Sequence, residues 1–423
     1  MTHGHAHDGR TAATHIWQGF AWLASGEFVA RAVGFATTLY LARTLDLAGY
    51  GQLEVGLAVF SYLQLIVDGG LETIAVRSVS RSPEARHRFA SHLFAMRVVV
   101  ACVLGLAVWG GTAAWPGPDG VRPVLLRYAL AMVPLVASVN WAFQADRRMS
   151  VVAARNAATQ VVYALLVVLL VHGPLDVLRV PSAFAVAVAV GVGLTLVAYA
   201  KQFGRVPFGI DATFARGLAR QALPVAASSA LRAVSYNFDI LIIGLLYPAL
   251  GVGLYGAAYR LLTLPLLGYA TLSTALFPTL VRLEPGARRR FMTVYGALVM
   301  ISSLVMAALI RLSAADVLRL AAGARFEPAA PVLALLAVSI PLTAGAGVLR
   351  QLLLATDRQQ YDLLVVVLGA VSNAGLNLLL VPRLGLAGAA IATISGEAVV
   401  LVAAVVVAFV TRGPSSLVQE SLS

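Results

Sequence analysis

Three arginines sit where water should be scarce. Arg31, Arg232 and Arg260 fall well inside long apolar runs of a 423-residue chain. A guanidinium at the centre of a membrane helix costs about 2.5–3.5 kcal/mol on the insertion scale. Such a charge persists where it meets an opposite charge or a hydrated cavity. Its planar fork bonds two oxygens of a phosphate or carboxylate at once, so the three residues suit an anion site. A static ion pair is the alternative. Glu27 lies one turn before Arg31, and Asp239 two turns after Arg232, each on its arginine's helical face. Arg97, Arg127 and Arg350 also lie in apolar runs but nearer the ends, where a long side chain can snorkel to the interface.

The deeper carboxylates are Glu27, Asp239 and Glu397. Each can bind a proton or Na⁺, form an ion pair, or join two helices. Asp68 and Glu72, one turn apart, read as a hydrated helix end, and Glu54 as the mouth of a span. Amides recur at helical spacing as Asn140/Gln144, Asn156/Gln160 and Asn373/Asn377. These read as interhelical glue, with Asn140, Asn373 and Asn377 as candidate cavity residues. The tail residues His3, His5, His7 and Asp8 are read as solvated, since no second cluster completes a metal site. Lys201 is the one lysine and follows no glycine-rich loop, which excludes a Walker A nucleotide site. No HExxH or GxSxG occurs. The sequence therefore predicts no enzyme, no metal and no cofactor.

The elements that must position these groups follow from composition. The chain is 60% hydrophobic and 12% charged, with a mean hydropathy of +0.85. A soluble domain is about one quarter charged, so this is an integral membrane protein. Spans of roughly 20 apolar residues match a ~30 Å hydrocarbon core, and lipid requires each to satisfy its own backbone as a helix. Twelve are expected, at 16–42, 52–74, 90–113, 123–145, 149–171, 181–200, 222–247, 252–280, 291–312, 328–354, 361–381 and 386–410. Pro382 to Gly385 joins the last two. The first run has no small-residue cleavage site near its end, so it reads as a span and not a removable leader. Cys102 is the one cysteine, which leaves no disulfide framework, and it reads as a small packing residue.

The net charge of +12 does not indicate nucleic acid, because the basic residues are dispersed between apolar spans. They divide instead by side. Arg10, Arg77, Arg81, Arg86, Arg88, Arg147, Arg148, Arg155, Lys201, Arg205, Arg216, Arg220, Arg282, Arg288, Arg289, Arg290, Arg358 and Arg412 fall on one. Arg43, Arg122, Arg179, Arg311, Arg319, Arg325 and Arg383 fall on the other. The positive-inside rule then puts both termini in the cytoplasm.

The chain also resembles itself. Ala30-Arg31-Ala32-Val33 recurs as Leu231-Arg232-Ala233-Val234, and Gly49-Tyr50-Gly51 as Gly253-Leu254-Tyr255-Gly256. Gln144 to Arg148 recurs as Ala355 to Gln359. Three matches in one order predict a parallel six-plus-six repeat about an axis along the membrane normal. The expected fold is all-α and integral to the membrane: twelve transmembrane helices in two six-helix lobes related by a pseudo-two-fold, with both termini cytoplasmic. Its parts are a tail at 1–15, a lobe at 16–200, a cytoplasmic linker at 201–221, a second lobe at 222–410 and a tail at 411–423.

Several motifs carry a family resemblance. They include Ala42-Arg43-Thr44-Leu45 with Tyr50-Gly51, Ser61 to Gln64, Asp68 to Leu71, and Ala75-Val76-Arg77. In the second half they include Asp239, Gly251 to Gly253, Tyr255, Ala257-Ala258, Arg260-Leu261 and Pro278. Near the end come Leu354-Ala355, Asn377, Pro382, Gly385, Gly388 to Thr393 and Glu397. The chain resembles the O-antigen type polysaccharide flippases of the multidrug/oligosaccharidyl-lipid/polysaccharide exporter superfamily. It departs from their pattern at Asp46-Leu47, where the family often has Gly-Pro.

The resemblance implies two lobes around an alternately exposed cavity in a bacterial cytoplasmic (inner) membrane. It implies a polyprenyl-pyrophosphate-linked oligosaccharide as cargo, with membrane lipid and polysaccharide-assembly enzymes as partners. Cationic residues line the cavity in such flippases, and Arg31 and Arg260 are the positions matched to them; Arg232 rests on the repeat. The alternatives are a drug/cation antiporter of the same superfamily, disfavoured by the mid-span arginines, and a membrane glycosyltransferase or ligase, which would need a large catalytic loop.

Overall fold

The computed structural model describes residues 30–113, 120–204, 209 and 211–410. These are helical nearly throughout, with no strand among them. In the first half the helices are α1 (30–44 of the described chain), α2 (Leu47–Asp68), α3 (Leu71–Val79), α4 (Arg86–Ala113), α5 (Val121–Leu130), α6 (Met132–Leu135), α7 (Asn140–Ala145), α8 (Met149–Leu170) and α9 (Arg179–Phe203). The second half has α10 (Ala212–Leu246), α11 (Ala249–Arg282), α12 (Pro285–Leu312), α13 (Ala314–Ala321), α14 (Ala330–Leu336), α15 (Ser339–Ala355), α16 (Gln359–Leu384) and α17 (Leu386–Val410).

Among the described residues eight helices are long and apolar enough to cross a membrane, or nine if a pair bent by 43° at its break, Ala324–Leu336 with Ser339–Ala355, is one span. Their outer faces are apolar: Val99, Val103, Leu106 and Trp109 on α4 are each at least 60% exposed. In water such a face would be a liability, while in lipid it is the expected solvent contact. Cys102, read from sequence as a packing residue, also lies on an exposed position of α4.

The difference between twelve expected spans and eight or nine has physical causes. Only the second half of span one falls within the described residues. Span four is not continuous: α5, α6 and α7 are separate short helices, and Pro134 within α6 supplies no N–H to continue the ladder. Span two is retained as α2, which ends earlier than expected at Gly69 and Gly70, whose φ angles of +52° and +75° few residues other than glycine adopt. α10 enters only as the shorter apolar helix Asn237–Leu246, because side chains at 231–236 lie outside the described residues. Glu54, placed by sequence at a span mouth, is buried two turns inside α2. That helix starts at Leu47 because the Asp46 carboxylate caps it by accepting from the Gly49 N–H at 2.9 Å.

The chain divides into two compact units, Met1–Ala230 with Pro248–Leu250, and Leu231–Tyr247 with Gly251–Ser423. Each contains the same corner. Arg147 and Asp357, the two non-glycine residues with positive φ among those described, both have φ of 58°. In the first corner Arg148 N–H donates to Phe143 O at 2.8 Å, and in the second Arg358 N–H donates to Leu353 O at 2.9 Å. The backbone therefore aligns Arg147 with Asp357. The sequence match of Asp146 with Asp357 is out by one residue, because it followed side-chain identity where the turn conserves only backbone geometry. In each unit a tyrosine also reaches a helix-end carbonyl: Tyr40 Oη donates to Val171 O at 2.7 Å, and Tyr247 Oη to Val381 O at 2.9 Å.

Core packing in unit one centres on Trp141, Phe143 and Tyr199, with α10 residues Leu218 and Ala222 against them. The start of α10 is anchored by Asp211, whose carboxylate accepts from the N–H groups of Thr213 and Phe214. The Phe214 N–H first, and then the Arg88 guanidinium, hold that carboxyl below its usual range. In unit two α16 and α17 form a hairpin. The sequence placed the join at Pro382 to Gly385, but the helix runs through Pro382 and turns at Gly385, where φ is +60°. Gly388 then lies directly on the Leu380 carbonyl. A Gly388→Val substitution should cost about 1–3 kcal/mol by overpacking. Gly375→Val, on α16 with no neighbour within 4 Å of the added carbon, should cost much less. Thermal unfolding of both proteins in the same detergent checks the contrast.

Candidate functional site

Polar groups collect at the interior breaks of unit one. Arg97, on α4, is only 3% exposed. Its Nη2 bonds Asp68 Oδ1 at 2.7 Å, and its Nη1 donates to Ser138 O at 2.8 Å. Glu72 Oε2 stands 3.9 Å away. Asp68 closes α2 just before Gly69, and Ser138 lies in the gap between α6 and α7. One guanidinium thus ties together two interrupted spans. Glu72 also faces the Trp141 backbone N–H and the charge of Arg155. Arg155 Nη1 donates to Asn156 Oδ1 at 3.3 Å. Glu72 Oε1, Asn140 Oδ1 and Arg155 Nε are buried with no hydrogen-bond partner among the described residues.

The sequence reading of this region needs correction. Arg97 does not snorkel, because the nearest interface for its charge is the pair of helix breaks beside it. Asp68 and Glu72 are not simply a hydrated end, since both face Arg97. Two other arginines assigned to snorkelling are also bonded: Arg127 Nη1 donates to Leu178 O at 2.7 Å, and Arg350 Nε to Asp362 Oδ1 at 2.7 Å. The signals were present in the Gly69-Gly70 pair after Asp68 and the Ser138-Val139-Asn140 step after Pro134.

Unit two holds a different cluster. Asp239, on α10, is 5% exposed, and its Oδ2 accepts from Tyr255 Oη of α11 at 2.5 Å. Its Oδ1 accepts from the Ile240 N–H at 2.8 Å. Tyr255 Oη lies 3.4 Å from Thr393 Oγ1 of α17. One turn further along α17, Gly396 lies against Asn373 of α16. Asn377 Nδ2 donates to Asn373 O at 3.0 Å and to Asn373 Oδ1 at 3.2 Å. These two amides bond along their own helix and are not interhelical glue as the sequence suggested; helical spacing of four favours that local contact. Asn377 Oδ1 is buried with no partner among the described residues. Glu397, one turn from Thr393 on α17, is hydrogen-bonded by Thr343 and faces the charge of Arg350.

The sequence-predicted cations fall in both units. Arg31 is exposed on α1 of unit one, while Arg260 is half-buried on α11 of unit two, next to Tyr259. Tyr259 stacks on Tyr255 with ring centroids 6.1 Å apart. Arg232 lies on α10 of unit two, but its side chain is outside the described residues, as is Glu27. Tyr255 and Thr393 were missed as site residues. Each belonged to a quoted motif, but neither carries the charge that drew attention to the others.

A family model described as polysaccharide biosynthesis protein matches residues 16–284. No curated protein matches the chain. Among solved structures, one described as lipid II flippase MurJ in an inward closed conformation aligns with a TM-score of 0.70 at 11% identity, covering 91% of this chain and 87% of that one. An inward-facing multidrug resistance MATE family transporter of the MOP superfamily aligns with a TM-score of 0.67 at 15% identity, covering 90% and 94%. A MOP superfamily transporter from Pyrococcus furiosus gives 0.55 at 16% identity, covering 93% and 95%. At these identities the likeness is one of fold: an all-helical, multi-pass membrane protein built as these transporters are.

The buried arginine gives a direct test. Removing one partner of a buried ion pair leaves the other uncompensated. Arg97→Gln should destabilise the protein by about 3 kcal/mol, the lower end for a buried pair, because Asp68 is 32% exposed. Arg97→Lys should lose less, keeping the charge but not the fork. Detergent-solubilised thermal unfolding reads both, and an Arg97→Gln protein as stable as the wild type would refute the tie.

Proposed function

The chain belongs to the polysaccharide biosynthesis protein family, and on that footing we propose that it is a flippase. In this reading it carries a polyprenyl-pyrophosphate-linked oligosaccharide from the inner to the outer leaflet of a bacterial cytoplasmic membrane by alternating access, for polysaccharide biosynthesis, and is not an enzyme. The twelve-span architecture with two six-helix lobes and cytoplasmic termini is part of the same proposal. The observation that carries it is the family match, supported by a fold like that of a lipid II flippase.

The chemistry suits that cargo. A pyrophosphate must exchange its hydration for other donors, and Arg31, Arg232 and Arg260 are the residues assigned to supply them. An anion leaving a negative-inside cell moves with the potential, gaining roughly 2.3 kcal/mol per charge per 100 mV. Coupled cation flow is the other source of drive. Asp239, bonded to Tyr255 with Thr393 beyond it, is the favoured place for a proton or Na⁺, ahead of Glu397 and Glu27. The likeness in fold to a multidrug transporter supports a second reading, a drug/cation antiporter.

Arg31→Ala and Arg260→Ala should each abolish complementation of a flippase-deficient strain at unchanged membrane abundance. Activity retained in both would sink the anion-site assignment. In proteoliposomes with a clamped negative-inside potential and no cation gradient, net export of a lipid-linked oligosaccharide is expected. No net export there, with export restored by a Na⁺ or proton gradient, would replace the potential-driven mechanism with a coupled one. Cation-driven efflux of a cationic dye, without lipid flipping, would select the antiporter.

A further inference from the structure

A second place in unit one has the makings of a binding site. A cavity of about 550 Å³ opens between the end of α3, the turn after it, and the first turns of α10. Its basic side carries Arg77, Ser78, Arg81 and Ser82, and its apolar side Phe89 and Phe214. The volume falls within the range of small-ligand pockets.

The two sides differ in how they are held. The apolar wall is fixed. Phe214 meets Phe89 edge-on at 5.4 Å and His92 at 4.7 Å, and the Arg88 guanidinium lies 4.1 Å over its ring. His92 Nε2 accepts from the Asp211 N–H at 2.9 Å, and Arg88 bonds Asp211 at 2.8 Å, so the start of α10 is tied down beside the cavity.

The basic side is uncompensated. Around it Arg86 and Arg148 share Asp146, Arg88 takes Asp211, and Arg97 takes Asp68. Arg77 and Arg81 are one turn apart and have no carboxylate partner among the described residues. Like charges at that spacing repel each other. Two guanidinium forks with two adjacent hydroxyls are the donor set for a phosphate, and the aromatic wall opposite suits the apolar stem that follows it.

We propose that this cavity binds the phosphate headgroup of an anionic phospholipid, at a site separate from the mid-span arginines. The phosphate sits between Arg77 and Arg81, and the start of the glycerol backbone lies against Phe89 and Phe214. The test uses the full-length protein in neutral detergent, titrated with phosphatidylglycerol and followed by native mass spectrometry. Arg77→Gln/Arg81→Gln should weaken retention of one phosphatidylglycerol at least ten-fold. Arg77→Lys/Arg81→Lys, which keeps the charge but loses the forks, serves if the first variant fails to fold and should weaken it less. Phe214→Ala should weaken it several-fold. Arg216→Gln/Arg220→Gln removes two exposed charges from the same helix outside the cavity and should leave it within two-fold. An equal loss from that control would mean a diffuse basic surface and overturn the site. Displacement of the lipid by equimolar inorganic phosphate, with no effect of Phe214→Ala, would mean a soluble anion and overturn the lipid assignment.

Discussion

A backbone group freed at a helix break inside lipid has no water to bond, so another part of the protein must satisfy it. Several of this chain's long polar side chains answer that requirement. Arg97 bonds the carbonyl of Ser138 in the broken fourth span, and Arg127 that of Leu178 just before α9. Arg288 takes the carbonyls of Leu280 and Leu283 at the end of α11, and Tyr40 and Tyr247 serve the ends of α8 and α16. Breaks are tolerated because long donors reach them, and the breaks in turn bring Asp68 and the Asn140 segment into the interior. Structure and polar interior are therefore one problem: the residues that close the backbone also line the space.

This requirement accounts for three of the six arginines within apolar runs. Arg97, Arg127 and Arg350 hold helix ends or a carboxylate and have a structural task regardless of any cargo. A sequence reading could not make the division sharply, because depth in a span was its only measure. It put Arg97 near an interface, and measured along α4 alone that is reasonable. The interface that matters is the local one created by Gly69-Gly70 and by the gap after Pro134, both on other helices.

Much of the fold was nonetheless legible. Apolar length locates nearly every long helix, since lipid leaves little choice of secondary structure. Boundaries shift where a cap or a glycine decides them, as at Asp46 and Gly385. Breaks were less legible because a run such as 123–145 keeps its hydropathy while Pro134 removes its hydrogen bond. One of the three internal sequence matches is misregistered by one, since Arg147 and Asp357 share a left-handed backbone and not a side chain. At the candidate site, charged residues drew attention and neutral partners did not. Asp239 was found from sequence, whereas Tyr255 and Thr393 were found only from contacts.

That neutral surrounding distinguishes the two buried clusters. In unit one Asp68 and Glu72 face Arg97, and Glu72 also faces Arg155, so two carboxylates meet two guanidinium groups and their charges cancel. A cluster of that kind has little call for a mobile ion. In unit two the groups bonded to Asp239 are a tyrosine hydroxyl and a peptide N–H, and no cation faces it among the described residues. Among the described residues an ionised carboxylate there meets no opposite charge, and burial makes that costly. It can be relieved by a proton on the carboxyl or by a bound cation, with the Tyr255 hydroxyl bonded to it and Thr393 Oγ1 next beyond as neutral oxygens. Hydrogen bonds from neutral donors position the carboxyl without discharging it. In the flippase reading proposed above, a coupled ion is therefore assigned to the Asp239 cluster, while Arg97 in the interior of unit one holds its helices in place.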